Sequence, residues 1–187
     1  MKRIIINPIL NSLVNYYDED KLKKIKYGLE TVYIHLEKGL VLILVAYISS
    51  SLKTLVLLLI FVNVLRRHAY GIHLSSSLKC HLFSISVYII MPKIVLSLDK
   101  ANLLIISYLS LISIIAFAPA QTKKGKKLKA KEIKRKKIIS TIIATTYCIF
   151  VTLNRTYLAY ILGIALLIQS IIVNPISYRL LLRKEER

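Results

Sequence analysis

Long uncharged runs separated by short polar breaks dominate the chain from residue 31 to residue 178, the rhythm of helices that need about 20 apolar residues to cross a bilayer. Ala101 to Thr122 carries no charge and predicts one span. Thr156 to Tyr178 predicts a second and Ile138 to Asn154 a third; Arg155 alone separates these two, which read as a tight hairpin. Leu78 to Leu98 is apolar apart from His81 and Lys93, and predicts a span kinked or broken near Pro92. Gly39 to Leu52 and Thr54 to Leu65 flank Lys53, each too short alone. They read as a hairpin turning at residues 49–53, with one very long helix as the alternative. Upstream, Asn7 as cap and Pro8 at the first helical position predict a helix start, and Ile9, Leu10, Leu13, Val14 and Tyr17 follow at helical spacing. That helix reads either as amphipathic on a membrane surface or as packed on the bundle. The expected fold is therefore all-α, a polytopic integral membrane protein with about six transmembrane helices plus an N-terminal amphipathic helix.

Charge sharpens this picture. The 187 residues suit one domain and are 56% hydrophobic, yet 28 basic residues face 9 acidic ones, a formal charge of +19. A mean hydropathy of +0.60 beside such a charge is natural when apolar segments sit in lipid and basic residues collect in cytoplasmic connections. With the N-terminus inside, the three outer turns hold only Lys53, Asp99, Lys100 and Arg155 as charges. The remaining basic clusters fall inside, so both termini are expected in the cytoplasm. Intrinsic disorder, a collagen-like repeat and a secreted disulfide scaffold are excluded by the apolar content, the 5 glycines and the 2 cysteines. Asn7-Pro8 and Asn11 interrupt the first apolar stretch, which does not read as a cleavable signal peptide. The chain is expected to form a single membrane-embedded domain over 1–187, with residues 1–30 at the cytoplasmic face.

Lys123 to Lys137 forms a basic cytoplasmic loop of ten cations and one acid, nearly half of the excess charge. Attraction to anionic lipid headgroups explains it most simply, at about 1 kcal/mol per residue near the surface. Docking of an acidic peptide is the sharper reading. Nucleic acid fits poorly, because no aromatic side chain is interleaved for base stacking.

Candidate chemistry concentrates in Arg66 to His81, where three of the four histidines and one of the two cysteines lie within sixteen residues. A cysteine beside cations and an imidazole is a ready nucleophile toward carbonyls. Cys80 has Arg66, Arg67, Lys79 and several imidazoles close in sequence. On one unbroken helix, His73 and Cys80 would share a face but stand about 10 Å apart, too far for proton transfer. His73 therefore serves Cys80 only if the chain bends between them; Gly71 and Ser75-Ser76-Ser77 supply the place, and a serine there can cap the helix that carries Cys80. His81 points about 100° away on a helix, and His68 lies further back. No acid stands near the pair, which makes a Cys-His dyad the simplest arrangement, the ring oriented by a backbone carbonyl or a serine. Two readings compete: a packing cysteine, and a metal site of His68, His73, Cys80 and His81, although the spacing matches no established metal motif and no metal or other cofactor is expected. Cys148, without basic neighbours, reads as packing and as no partner for Cys80.

The arrangement resembles the accessory gene regulator B family, membrane-embedded cysteine endopeptidases that process precursors of bacterial quorum-sensing peptides. The resemblance runs through Arg66-Arg67, Gly71, His73 and Cys80, then Ala118-Pro119-Ala120 leading into the basic run, and the paired final spans. Gln121 departs from the acid that commonly follows Ala-Pro-Ala in the family. The resemblance implies that residues 66–80 are the catalytic segment, with Cys80 as nucleophile, His73 as general base, and Arg66 and Gly71 shaping the site. It implies as substrate a short AgrD-like precursor with an amphipathic helix, a central cysteine or serine, and an acidic C-terminal tail removed through a thioester. It also implies a multi-pass location in the bacterial cell membrane, a homodimer, and contact of Lys123, Lys124, Lys126, Lys127, Lys129 and Lys131 with the acidic tail. The alternative is a non-enzymatic helical membrane protein that binds lipid or a partner, or a transporter subunit.

Overall fold

A computed structural model describes residues 2–13, 16–71, 77–120 and 129–177. It is all-helical among the described residues: α1 (Lys2–Leu13), α2 (Glu19–Ile48), α3 (Leu52–Ala69), α4 (Ser77–Ile85), a π turn (Ser86–Ile90), α5 (Met91–Leu96), α6 (Lys100–Phe117), α7 (Ala130–Leu153) and α8 (Tyr157–Val173). Three of these, α2, α6 and α7, are long and apolar enough to cross a membrane. The helix from Cys80 to Leu96 and α8 are shorter apolar segments.

The chain divides into two compact units, Met1–Val45 and Ala46–Arg187. In the first, α1 begins before Asn7 rather than at it, and Pro8 lies inside the helix. Proline there forfeits one bond, to the Ile4 carbonyl, and the turn upstream forms regardless. Asp18, Glu19 and Asp20 lie at the positive end of the α2 dipole, with Lys21 paired to Asp18 and Lys23 to Glu19, each at 3.3 Å.

The second unit opens with the break expected near Lys53. Ser50 adopts φ 52° and the Ser51 amide donates back to the Ala46 carbonyl, closing α2 before Ser51 precedes α3. The irregularity expected at Pro92 is the π turn immediately before it: proline offers no amide to the Tyr88 carbonyl, and the ladder widens by one residue to absorb the loss. Helix α6 stops at Phe117, short of Thr122, because the residue ahead of a proline is pushed into extended backbone, here Ala118 at ψ 147°. Pro175 ends α8 at Val173 in the same way, short of Tyr178. Conversely, α7 starts eight residues before Ile138, so the second half of the basic run is helix rather than loop. Lysine and alanine are good helix formers, and the Glu132 carboxylate accepts from the Lys129 amide to close the first turn.

Helix α8 is apolar all round and buried over most of its length, packed against α3, α5, α6 and α7. Gly163 lets it approach α6, since a β-carbon there would meet Leu103 Cδ1 at 2.7 Å and Ser107 Oγ at 3.0 Å. Around it, Leu65, Ala69, Ile114, Ala118, Ala144, Cys148, Leu166 and Val173 form a core from α3, α6, α7 and α8.

End-to-end contacts fix the helix directions. Thr54 and Tyr157 share a hydrogen bond at 2.6 Å, joining the starts of α3 and α8, and Lys53 lies 5.5 Å from the Tyr157 ring centre. The Lys100 ammonium at the start of α6 donates to the carbonyls of Val151 and Asn154 at the end of α7. Thus α3, α6 and α8 run one way and α7 returns. Lys53, Lys100 and Arg155 gather at one end, and Arg66, Arg67 and residues 129–137 at the other. This is the separation of charge that the sequence pattern predicts.

Candidate active site

The crowded basic end is where α3 stops. Its last residues are Arg66, Arg67, His68 and Ala69, after which Tyr70 turns the chain with φ 56° and ψ −158°. That conformation is nearly reserved for glycine and persists only where the surroundings over-determine it. Three restraints hold it. The Ala120 amide donates to the Ala69 carbonyl at 3.0 Å, within a parallel bridge between Tyr70 and Ala120. The Gln169 Nε2 donates to the Tyr70 carbonyl at 2.7 Å. Gly71 presses on Ile172, whose Cγ2 occupies the space of any β-carbon at position 71.

Side chains complete the enclosure. Lys136 Nζ sits 4.6 Å from the Tyr70 ring centre, a cation–π distance, and donates to the Arg67 carbonyl at 3.4 Å. The Arg66 guanidinium hydrogen-bonds the buried Tyr88 hydroxyl in the π turn, tying α3 to the helix that follows Cys80. His68 is half-buried and its Nδ1 has no hydrogen-bond partner. Burial foremost, then the charges of Lys136, Arg67 and Arg135, hold its imidazole below the usual histidine range.

Cys80 is half-buried at the close of the first turn of α4, where the helix dipole favours negative charge. Among the described residues α3 ends at Ala69 and α4 runs from Ser77, and the bend expected between His73 and Cys80 falls on residues 72–76, outside them. His73 itself lies outside the described residues, as do Lys123, Lys124, Lys126, Lys127 and Gln121. Lys129 and Lys131 are exposed at the start of α7. Neither Cys80 nor Cys148 is in a disulfide, and Cys148 is buried in the core. No group of three metal-ligating side chains gathers among the described residues.

Tyr70 and Gly71, the Ala118–Ala120 turn and the last turns of α8 thus converge on one end of the bundle. A family model described as accessory gene regulator B matches residues 3–173, which include all three. The chain belongs to the accessory gene regulator B family. An accessory gene regulator protein B of Staphylococcus epidermidis is 30% identical over 166 residues, covering 88% of this chain and 85% of that one. An AgrB-like protein of Listeria innocua serovar 6a is 29% identical over 173 residues, covering 89% and 83%. No solved structure matches the chain. Family membership supports a role in processing quorum-sensing peptides.

Sequence reasoning singled out Arg66, Gly71 and Cys80 but missed Gln169, Tyr88 and Lys136. Gln169 did carry a signal, as the one amide side chain between Tyr157 and Val173, a stretch that otherwise reads as lipid-compatible.

Proposed function

We propose that the chain is a membrane-embedded cysteine endopeptidase that removes the acidic C-terminal tail of a short AgrD-like autoinducer precursor. The observation that carries the reading is the family match over residues 3–173, which takes in Arg66, Gly71, His73 and Cys80. The whole chain, 1–187, acts as one multi-pass unit of the bacterial cell membrane, with about six spans and its basic end in the cytoplasm.

In this mechanism the Cys80 sulfur attacks the scissile carbonyl and His73 takes the thiol proton. The tetrahedral intermediate collapses, the C–N bond breaks, and His73 returns the proton to the amine of the departing tail. Cys80 then holds the signal segment as a thioester. The peptide's own internal thiol or hydroxyl attacks that carbonyl, forming the thiolactone or lactone and releasing Cys80. Bond energy is preserved through the thioester, so ring closure needs no external activation. Arg66 and Gly71 shape the site, and Lys123, Lys124, Lys126, Lys127, Lys129 and Lys131 attract the acidic tail and anionic headgroups.

Intact-mass analysis of a candidate precursor incubated with the protein in liposomes tests this. Wild type and Cys148→Ala release the tail, whereas Cys80→Ala and His73→Ala do not. Tail release that survives Cys80→Ala sinks the mechanism, whereas no release by any of the four proteins leaves a non-enzymatic membrane protein as the reading.

A further inference from the structure

Gln169 is fully buried in a helix whose other buried positions are apolar apart from Ser170. An amide in such surroundings is unfavourable unless it is hydrogen-bonded, and a leucine would pack there at no such penalty. Its Nε2 leaves the helix to hold the carbonyl of Tyr70, at 2.7 Å, in a backbone conformation that needs holding. Its Oε1 has no hydrogen-bond partner, so the amide acts on its neighbours through that donor alone. Ile172, three residues on and on the same face of α8, abuts Gly71. One face of α8 therefore sets the direction in which the chain leaves α3, and only Ile72 separates the clamped Gly71 from His73.

We propose that Gln169 is a positioning residue for the peptidase site, acting on the reactivity of Cys80 through its hold on the Tyr70–Gly71 bend. The inference rests on the Cys80–His73 reading above. A shift of about an ångström in a reacting group costs on the order of 10²-fold in rate.

The test follows alkylation of Cys80 by iodoacetamide against pH, in liposomes and in a Cys148→Ala background that leaves one thiol. His73→Ala sets the profile of a thiol without its base. Gln169→Leu is expected to slow alkylation at neutral pH at least tenfold and to give that same profile, with the helical circular dichroism unchanged. Gln169→Glu guards against misfolding. Its carboxyl donates to the Tyr70 carbonyl only while protonated, so wild-type reactivity is expected at low pH and reversible loss as the carboxyl ionises. A wild-type profile in Gln169→Leu, while His73→Ala is altered, overturns the inference alone. An unaltered profile in His73→Ala overturns the dyad and the inference with it.

Discussion

Gly71 and Ile172 compete for one volume: a β-carbon on Gly71 would overlap Ile172 Cγ2, while Ile172 Cβ and the Ile172 carbonyl oxygen would stand at an ordinary 3.5 Å. The glycine is therefore required by a single methyl group of α8. Gly71→Ala is expected to destabilise the protein by about 1–3 kcal/mol, the usual range for overpacking. Ile172→Ala removes the methyl, so the double variant should lose much less than the two single losses combined. Denaturation in detergent of all four proteins measures this, and strict additivity would show that the two residues do not meet.

His68 makes a pH prediction. Its folded imidazole titrates below the ordinary value of 6.5, because of burial first and of Lys136, Arg67 and Arg135 next. The folded state then binds fewer protons than the unfolded state, so its contribution to stability is complete above pH 6.5 and is lost as pH falls through the folded value. Replacing His68 with Gln should flatten that acid limb. Lys136→Gln should move the imidazole titration upward, which carbon-labelled histidine NMR reads directly; an unmoved titration would remove Lys136 from the list of causes.

Lys136 also lies over the Tyr70 ring at 4.6 Å. A partly exposed cation–π pair stabilises by about 0.5–1 kcal/mol. A double-mutant cycle of Lys136→Met and Tyr70→Leu should return a coupling of that size, whereas zero coupling would reduce the contact to proximity.

Much of the architecture is written locally. The break at residues 49–53, the irregularity at Pro92 and the segregation of charge follow from residue types that act on their nearest turns. What sequence pattern conceals is which apolar helix faces lipid and which faces protein. Beyond Lys100, α6 is as free of charge as α8, yet α8 is the buried hub, because a lipid-facing leucine and a core leucine obey the same preference. The extent of α7 was hidden for a related reason: a lysine run reads as loop by charge and forms helix by propensity. The Ala69–Ala120 pairing joins segments about fifty residues apart, and no local rule reaches that far. At the candidate site, Cys80, Gly71 and Arg66 stood out as candidates because thiol, turn and cation are chemical types. Gln169 acts only through a partner that the fold supplies.

The basic run allows a test of the proposed substrate class. Lys129 and Lys131 are exposed on the opening turn of α7, at the same end of the bundle as Arg66 and Arg67, and no aromatic residue intervenes between Lys123 and Lys137. An exposed cationic stretch of this kind acts at long range, over a Debye length of about 10 Å at 0.1 M salt and about 30 Å at 0.01 M. It should therefore concentrate an acidic tail near the site without touching the reacting bond. Changing Lys123, Lys124, Lys126 and Lys127 to Gln is expected to raise KM severalfold at low salt, to leave kcat within twofold, and to lose most of its effect at high salt. Steady-state cleavage of an acidic-tailed precursor at several ionic strengths separates the two parameters. A KM that is unchanged and independent of salt would assign the lysines to lipid alone, because binding of anionic headgroups leaves precursor capture untouched.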